Sequence, residues 1–251
     1  MTEPTVLIVF LAALITALAT GLGALPFAIW RTMSRRSMAL ANAAAGGLML
    51  AACHALIAEG LALNAGRLIL GILLGLSGIL IARRLIGGHD GLEIASLKGL
   101  DARRAFLIIA VMTAHSFAEG VGVGVAYGDA TNSGLGTFIT AAIAIHNIPE
   151  GLAISLVLVP RGTPVWQAAL WSIVSSLPQP IAAVPAFLAV SIFAPLLPIG
   201  LGIAAGAMLW MVFAELLPEA NEGATPNAIG IAVTLALAAM LAFQVYVIGG
   251  H

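Results

Sequence analysis

AFLIIAVMTAHSFAEGVGVGVA, residues 105–126, decides the fold. The run holds no lysine or arginine and exceeds the roughly 20 residues that a helix needs to cross about 30 Å of hydrocarbon. Inside it stand His115 and Glu119, four residues apart, so that on an α-helix both look out from one face. A second run, GTFITAAIAIHNIPEGLAISLVLV at residues 136–159, repeats the arrangement with His146 and Glu150. HSFAEG and HNIPEG are therefore one polar signature written twice. Ionisable groups deep in an apolar span are costly, and face a partner or a polar pathway when present.

The rest of the chain has the same character. Of its 251 residues, 61% are hydrophobic and 8% charged, and the mean hydropathy is +1.09, values of an integral membrane protein rather than a soluble domain. No basic patch suits a nucleic acid. The single cysteine, Cys53, cannot form an internal disulfide. MTEPTVLIVF at the start carries Glu3 and no basic residue, so it reads as a retained membrane helix rather than a secretory leader.

Eight spans are expected, at 6–30, 39–60, 67–86, 105–126, 136–159, 165–190, 197–217 and 226–249. Arg31, Arg35, Arg36, Arg83, Arg84, Lys98, Arg103, Arg104 and Arg161 all fall on one side of this zigzag, and Arg67 alone on the other. The rich side is then cytoplasmic, and both termini are extracytoplasmic. The fold class expected is an all-α integral membrane protein, a single polytopic domain over 1–251 with a cytoplasmic loop at 87–103. His89 and Asp90 in that loop read as a solvated pair. Span two (GGLMLAACHALIAEG, 46–60) and span seven (AGAMLWMVFAELLPEA, 205–220) run oppositely, as do spans four and five, which suggests an inverted pseudo-symmetry (3+2+3) about a midplane site. Glycines such as Gly71, Gly75, Gly78, Gly120, Gly122 and Gly124 read as packing positions, because lipid gives helices no hydrophobic drive to associate.

His115 lies 11 residues from Arg104 and His146 lies 10 from Gly136, which at about 1.5 Å per residue puts both ~15 Å deep, near the bilayer centre. Two antiparallel neighbours could then converge four ligands. Two imidazoles and two carboxylates suit a divalent transition metal of the Zn²⁺ type, and the ion would leave the site near neutrality where bare charge is costly. Loading is expected to release protons and to weaken as pH falls. Pro149 removes a bond to the Ile145 carbonyl, and Pro178 and Pro180 do the same for Val174 and Ser176, each a possible free oxygen beside a polar cavity. The alternative to a metal site is a ligand-free hydrogen-bonded network.

At these residues the sequence resembles the ZIP (ZRT/IRT-like) metal transporters, most closely a bacterial zinc-transporter branch. The resemblance covers nearly the whole chain, with HNIPEG its most specific part. It implies a carrier whose primary site is His115, Glu119, His146 and Glu150, a dimeric assembly and, from the bacterial branch, the cell's inner membrane. Members with a two-metal centre carry acidic or amide groups beside the histidines and a glutamate in span six; here those positions are Ser116, Asn147 and Gln179. With Glu119 and Glu150 the only anions, a second divalent ion would leave an uncompensated charge, so one tight ion is expected.

Four further groups flank the site. His54 and Glu59 lie toward the outer end of span two and Glu215 and Glu219 toward the inner end of span seven, as entrance and exit groups, although Glu59 and Glu219 fit interfacial carboxylates equally well. Cys53, Met49, Met208 and Met211 read as packing. The expected activity is passage of a divalent metal, Zn²⁺ foremost with Fe²⁺, Mn²⁺, Co²⁺ and Cd²⁺ also acceptable to such a site, and no catalytic cofactor. An intramembrane metalloenzyme, a metal-dependent hydrolase, is the alternative; HExxH is absent, as is a nucleotide-binding loop.

Overall fold

The computed structural model describes residues 4–29, 34–86, 93–94, 97–128 and 134–245. Six helical stretches among them are long and apolar enough to cross a membrane: Val6–Ile29, Arg35–Leu85, Ala105–Gly128, Leu135–Arg161, Val165–Leu188 and Val190–Asn221. Pro226–Ala242 is a shorter apolar helix. Arg31, His89, Asp90 and residues 246–251 lie outside the described residues.

Chain order runs α1 (Val6–Thr20), a 3-10 turn into α2 (Leu25–Ile29), α3 (Arg35–Ile86), α4 (Gly99–Gly128) and α5 (Leu135–Leu158). After it come α6 (Val165–Ser176), α7 (Pro178–Leu188), α8 (Val190–Phe193), α9 (Leu197–Met211), α10 (Leu217–Asn221) and α11 (Pro226–Phe243). Two described pieces fall within the expected loop at 87–103. Glu93–Ile94 pairs antiparallel with Leu97–Lys98, placing Ile94 opposite Leu97, and α4 already begins at Gly99. Leu97 is buried, which gives this small β pair an apolar anchor.

Spans two and three are two helices that meet at a kink, with no longer connector between them. Within α3 only Asn64 is non-helical, at φ −165° and ψ 106°, and its Oδ1 accepts the Arg67 N–H at 2.9 Å, the side-chain cap that starts a new helix. The chain reverses here. Before Asn64, Cys53 meets Ala205 and Gly46 meets Val212 and Leu217, antiparallel to α9. After it, Gly71 meets Ile199 and Gly75 meets Ile203, parallel to α9.

Pro178 and Pro218 stand at two further irregularities. Pro178 ends α6 after Ser176 and starts α7, as a residue without an N–H must. The Val174 carbonyl is not left free as expected, because it accepts the Leu177 N–H at 3.3 Å. Upstream of Pro218 the chain widens into a π-helical turn over Val212–Leu216. By contrast α5 stays helical through Pro149.

Backbone crossings at glycine hold these helices together. Gly120, Gly124 and Gly128 of α4, one turn apart, face Gln179, Ala183 and Phe187 of α7. Gly71 and Gly75 of α3 mesh with Gly202 and Gly206 of α9. Gly78 faces open space, so it takes no part in this packing. The result is two groups, α1 with α4–α7 and α3 with α9–α11, which meet where α4 touches α9 and α3 touches α5.

Candidate metal centre

α4 and α5 present their signatures to each other. His115 Nε2 lies 2.7 Å from Glu150 Oε1 and 3.3 Å from Glu119 Oε1. His115, Glu119 and Glu150 each offer a ligand atom within 4.8 Å of the other two. All three are buried. His146 stands outside this trio, at the edge of the adjoining cavity.

Several polar atoms here are unsatisfied. His115 Nε2 and Glu150 Oε1 meet only each other and Glu119, and Nδ1 of His115, Nε2 of His146 and Oε2 of Glu150 are buried without a hydrogen-bond partner. A lone pair left bare in the interior costs about 1–3 kcal/mol, and buried polar groups in folded proteins normally find partners. Imidazole nitrogens and carboxylate oxygens are the donors that a Zn²⁺-type ion selects. The residues present therefore fit such an ion as cargo.

The opposite oxygen of Glu119 is held. Oε2 accepts from Gln179 Nε2 at 2.5 Å; Gln179 Oε1 accepts from Asn147 Nδ2 at 3.1 Å and lies 2.6 Å from the Thr16 hydroxyl. Asn147 Nδ2 also donates to the Thr16 carbonyl at 2.7 Å. Ser116 Oγ is 3.5 Å from Ser176 Oγ, which shares a hydrogen bond of 2.8 Å with the Thr20 hydroxyl. The Thr16 and Thr20 contributions escape a sequence reading. Their one signal is an i, i+4 hydroxyl pair inside an otherwise apolar helix.

The glycine closing each signature has a mechanical reason. A Cβ on Gly120 would strike the Gln179 backbone, and one on Gly151 the Thr20 carbonyl. Small residues at these points let α7 and α1 approach closely enough for Gln179 and Thr16 to reach the site.

A cavity of about 230 Å³ adjoins the centre, lined by Glu119, His146, Glu59, Phe138, Met240 and Gln244 among others. Gln244 is a polar wall that the sequence did not single out. Glu59 borders this cavity; His54 is exposed and is not part of its wall. At the other end Glu219 Oε1 pairs with Arg161 Nη2 at 3.1 Å, and Glu215 is half-buried in the π turn. Cys53, Met49, Met208 and Met211 are buried in the main apolar core, as packing residues should be.

A helical protein of membrane character with a buried histidine–carboxylate centre is thus defined. The ZIP zinc transporter family matches residues 89–244. Over 237 residues the chain is 43% identical to a candidate zinc transporter of Arabidopsis thaliana, covering 94% of this chain and 38% of that protein's length. It is 32% identical over 229 residues to zinc transporter GufA of Myxococcus xanthus, with 84% of this chain and 88% of that one covered. Zinc transporter ZIPB of Bordetella bronchiseptica is 33% identical over 242 residues, covering 87% and 75%. The chain belongs to the ZIP zinc transporter family, whose members are transporters rather than enzymes.

Proposed function

We propose that this chain moves a divalent transition metal ion, Zn²⁺ foremost, across the cell membrane toward the cytoplasm, with His115, Glu119, His146 and Glu150 as its binding groups. The observation that carries the reading is the cluster of His115, Glu119 and Glu150 donors within 4.8 Å, buried together. His146 completes the set from the cavity side, so an ion passing Glu59 and Gln244 meets it first. Glu215 and Glu219 serve the way out, and His54 lies off this path. Fe²⁺, Mn²⁺, Co²⁺ and Cd²⁺ compete for the same donors.

The chain makes eight passes on this reading: the two halves of α3 on either side of Asn64 count separately, and α11 is the eighth. Arginine and lysine positions set the cytoplasmic side, and both termini lie outside, with the 3+2+3 inverted plan around α4 and α5. The working unit is a homodimer in the lipid bilayer.

One ion binds tightly at a time. Gln179, Asn147 and Ser116 are engaged with Glu119, Thr16 and Ser176, and they bring no negative charge to a second divalent ion. Protons compete for imidazole and carboxylate donors, so retention falls as pH falls. Proteoliposomes test the whole reading. Zinc uptake should be lost in Glu150→Ala, and metal counting after dialysis should give one ion per chain; uptake undiminished in that variant would overturn it.

A further inference from the structure

A series of amide hydrogen bonds runs into the metal centre from α1, and it has a direction. The Thr16 carbonyl can only accept, so Asn147 must turn its amide nitrogen toward it, and Nδ2 stands 2.7 Å away. The second N–H of that nitrogen reaches Gln179 Oε1 at 3.1 Å. Gln179 has then spent its carbonyl end, and its Nε2 meets Glu119 Oε2 at 2.5 Å. The Thr16 hydroxyl lies 2.6 Å from Gln179 Oε1 and 2.7 Å from the Ala13 carbonyl, one proton for two acceptors. It supports the direction, while Asn147, with an N–H for each partner, sets it. Thr16, Asn147 and Gln179 are all fully buried. The orientation is kept although it leaves Asn147 Oδ1 buried without a partner; turning that amide over would set oxygen against oxygen at Thr16 and at Gln179.

We propose that Asn147 and Gln179 are positioning residues that hold no metal themselves: they pass the direction set by the Thr16 carbonyl of α1 to Glu119. The inference rests on the reading of Glu119 as a metal-binding group. With Oε2 held by an N–H, Glu119 keeps Oε1 on the side of His115, 3.3 Å from its Nε2. Charge alone makes the opposite forecast for Asn147→Asp, since a carboxylate one residue from His146 attracts a cation. The amide relay forecasts a loss. An ionised aspartate at this position has no N–H for Thr16 or Gln179, and a protonated one has a single proton where two are needed. Gln179 then turns its nitrogen toward position 147 and its oxygen toward Glu119, and in a buried network a reversed dipole beside a carboxylate is strongly unfavourable.

Zinc titration of the purified full chain tests this, with the visible absorption of bound Co²⁺ as a second readout. Asn147→Asp, the substitution closest in shape, should lower zinc affinity by about 10–100-fold, the range lost with outer contacts of metal ligands. Asn147→Ala should lose less, only several-fold, because the Thr16 hydroxyl still donates to Gln179 Oε1. In both variants the Co²⁺ bands should shift, which a loss of packing alone would not cause. The inference is overturned by an Asn147→Asp affinity equal to or above that of the unaltered chain, by a second ion retained in that variant, or by a larger loss in Asn147→Ala. Should Asn147→Asp not fold, Asn147→Ala decides, and unchanged affinity or unchanged Co²⁺ bands overturn the inference. Glu119→Ala separates the two readings. Zinc binding undiminished in that variant removes Glu119 from the site and the relay with it; binding weakened there but not in Asn147→Asp leaves the site intact and sinks the relay alone.

Discussion

On α4, His115 is fully enclosed, with Glu150 and Glu119 both near one ring nitrogen. On α5, His146 occupies the equivalent place in its signature, yet it is 9% exposed and borders the cavity with Glu59 and Gln244. The carboxylates differ as well: Glu119 has one oxygen tied to Gln179, whereas Glu150 Oε1 meets His115 Nε2 at 2.7 Å and its Oε2 is buried without a hydrogen-bond partner. Four-residue spacing decides which side chains share a helix face. The neighbours of that face decide which become enclosed. α7 packs on α4 at Gly120 and supplies an amide to Glu119, while α1 packs on α5 at Gly151 and engages Asn147, so that Glu150 receives no such amide.

This contrast can be broken most directly at the histidines. His115→Ala should reduce zinc affinity, measured by titration of purified protein, by more than the about 10–100-fold typical of lost outer contacts, and His146→Ala by less than His115→Ala. The reverse order would dissolve the distinction between an enclosed and a cavity-facing ligand. Next in size is Gln179→Leu, which frees Glu119 to turn and should cost about 10–100-fold in affinity; it also strips a partner from Thr16 and Asn147, so the melting temperature should fall. An affinity equal to that of the unaltered chain would remove Gln179 from its supporting role.

Smaller effects sharpen the packing side of the comparison. Gly120→Ala and Gly151→Ala each push a methyl into a neighbouring backbone, and overpacking of this kind costs about 1–3 kcal/mol, read as a lowered melting temperature in detergent. If either variant melts unchanged, that glycine is not the contact that seats its partner helix. Smallest is Arg161→Gln. It opens a half-exposed pair with Glu219 worth at most about 1 kcal/mol, and zinc retention at equilibrium should not move.

The two signatures and the apolar runs were legible because both depend on spacing and hydropathy within a single segment. HSFAEG and HNIPEG located the metal-binding candidates, and three of the four lie together. Less legible was anything decided between segments. Thr16 and Thr20 look like ordinary small residues until α1 lies against α5 and α7. His54 resembles a pathway group by depth, but its direction around the helix takes it off the cavity wall. Pro178 was expected to expose the Val174 carbonyl, and a local turn bond to Leu177 satisfies it instead. The expected span bounds leave 61–66 between spans two and three, whereas the chain departs from helix there only at Asn64, which serves as a cap.

That last residue carries a practical corollary. A hairpin whose two arms are both anchored on α9 and whose bend consists of a single non-helical position has no slack to give or take up. Epitope tags, spacers or deletions placed at 62–66 would have to drag Gly60 away from Leu68 and shift the register of both arms against α9. Engineering at this corner should therefore proceed by exchange of side chains, with length kept fixed.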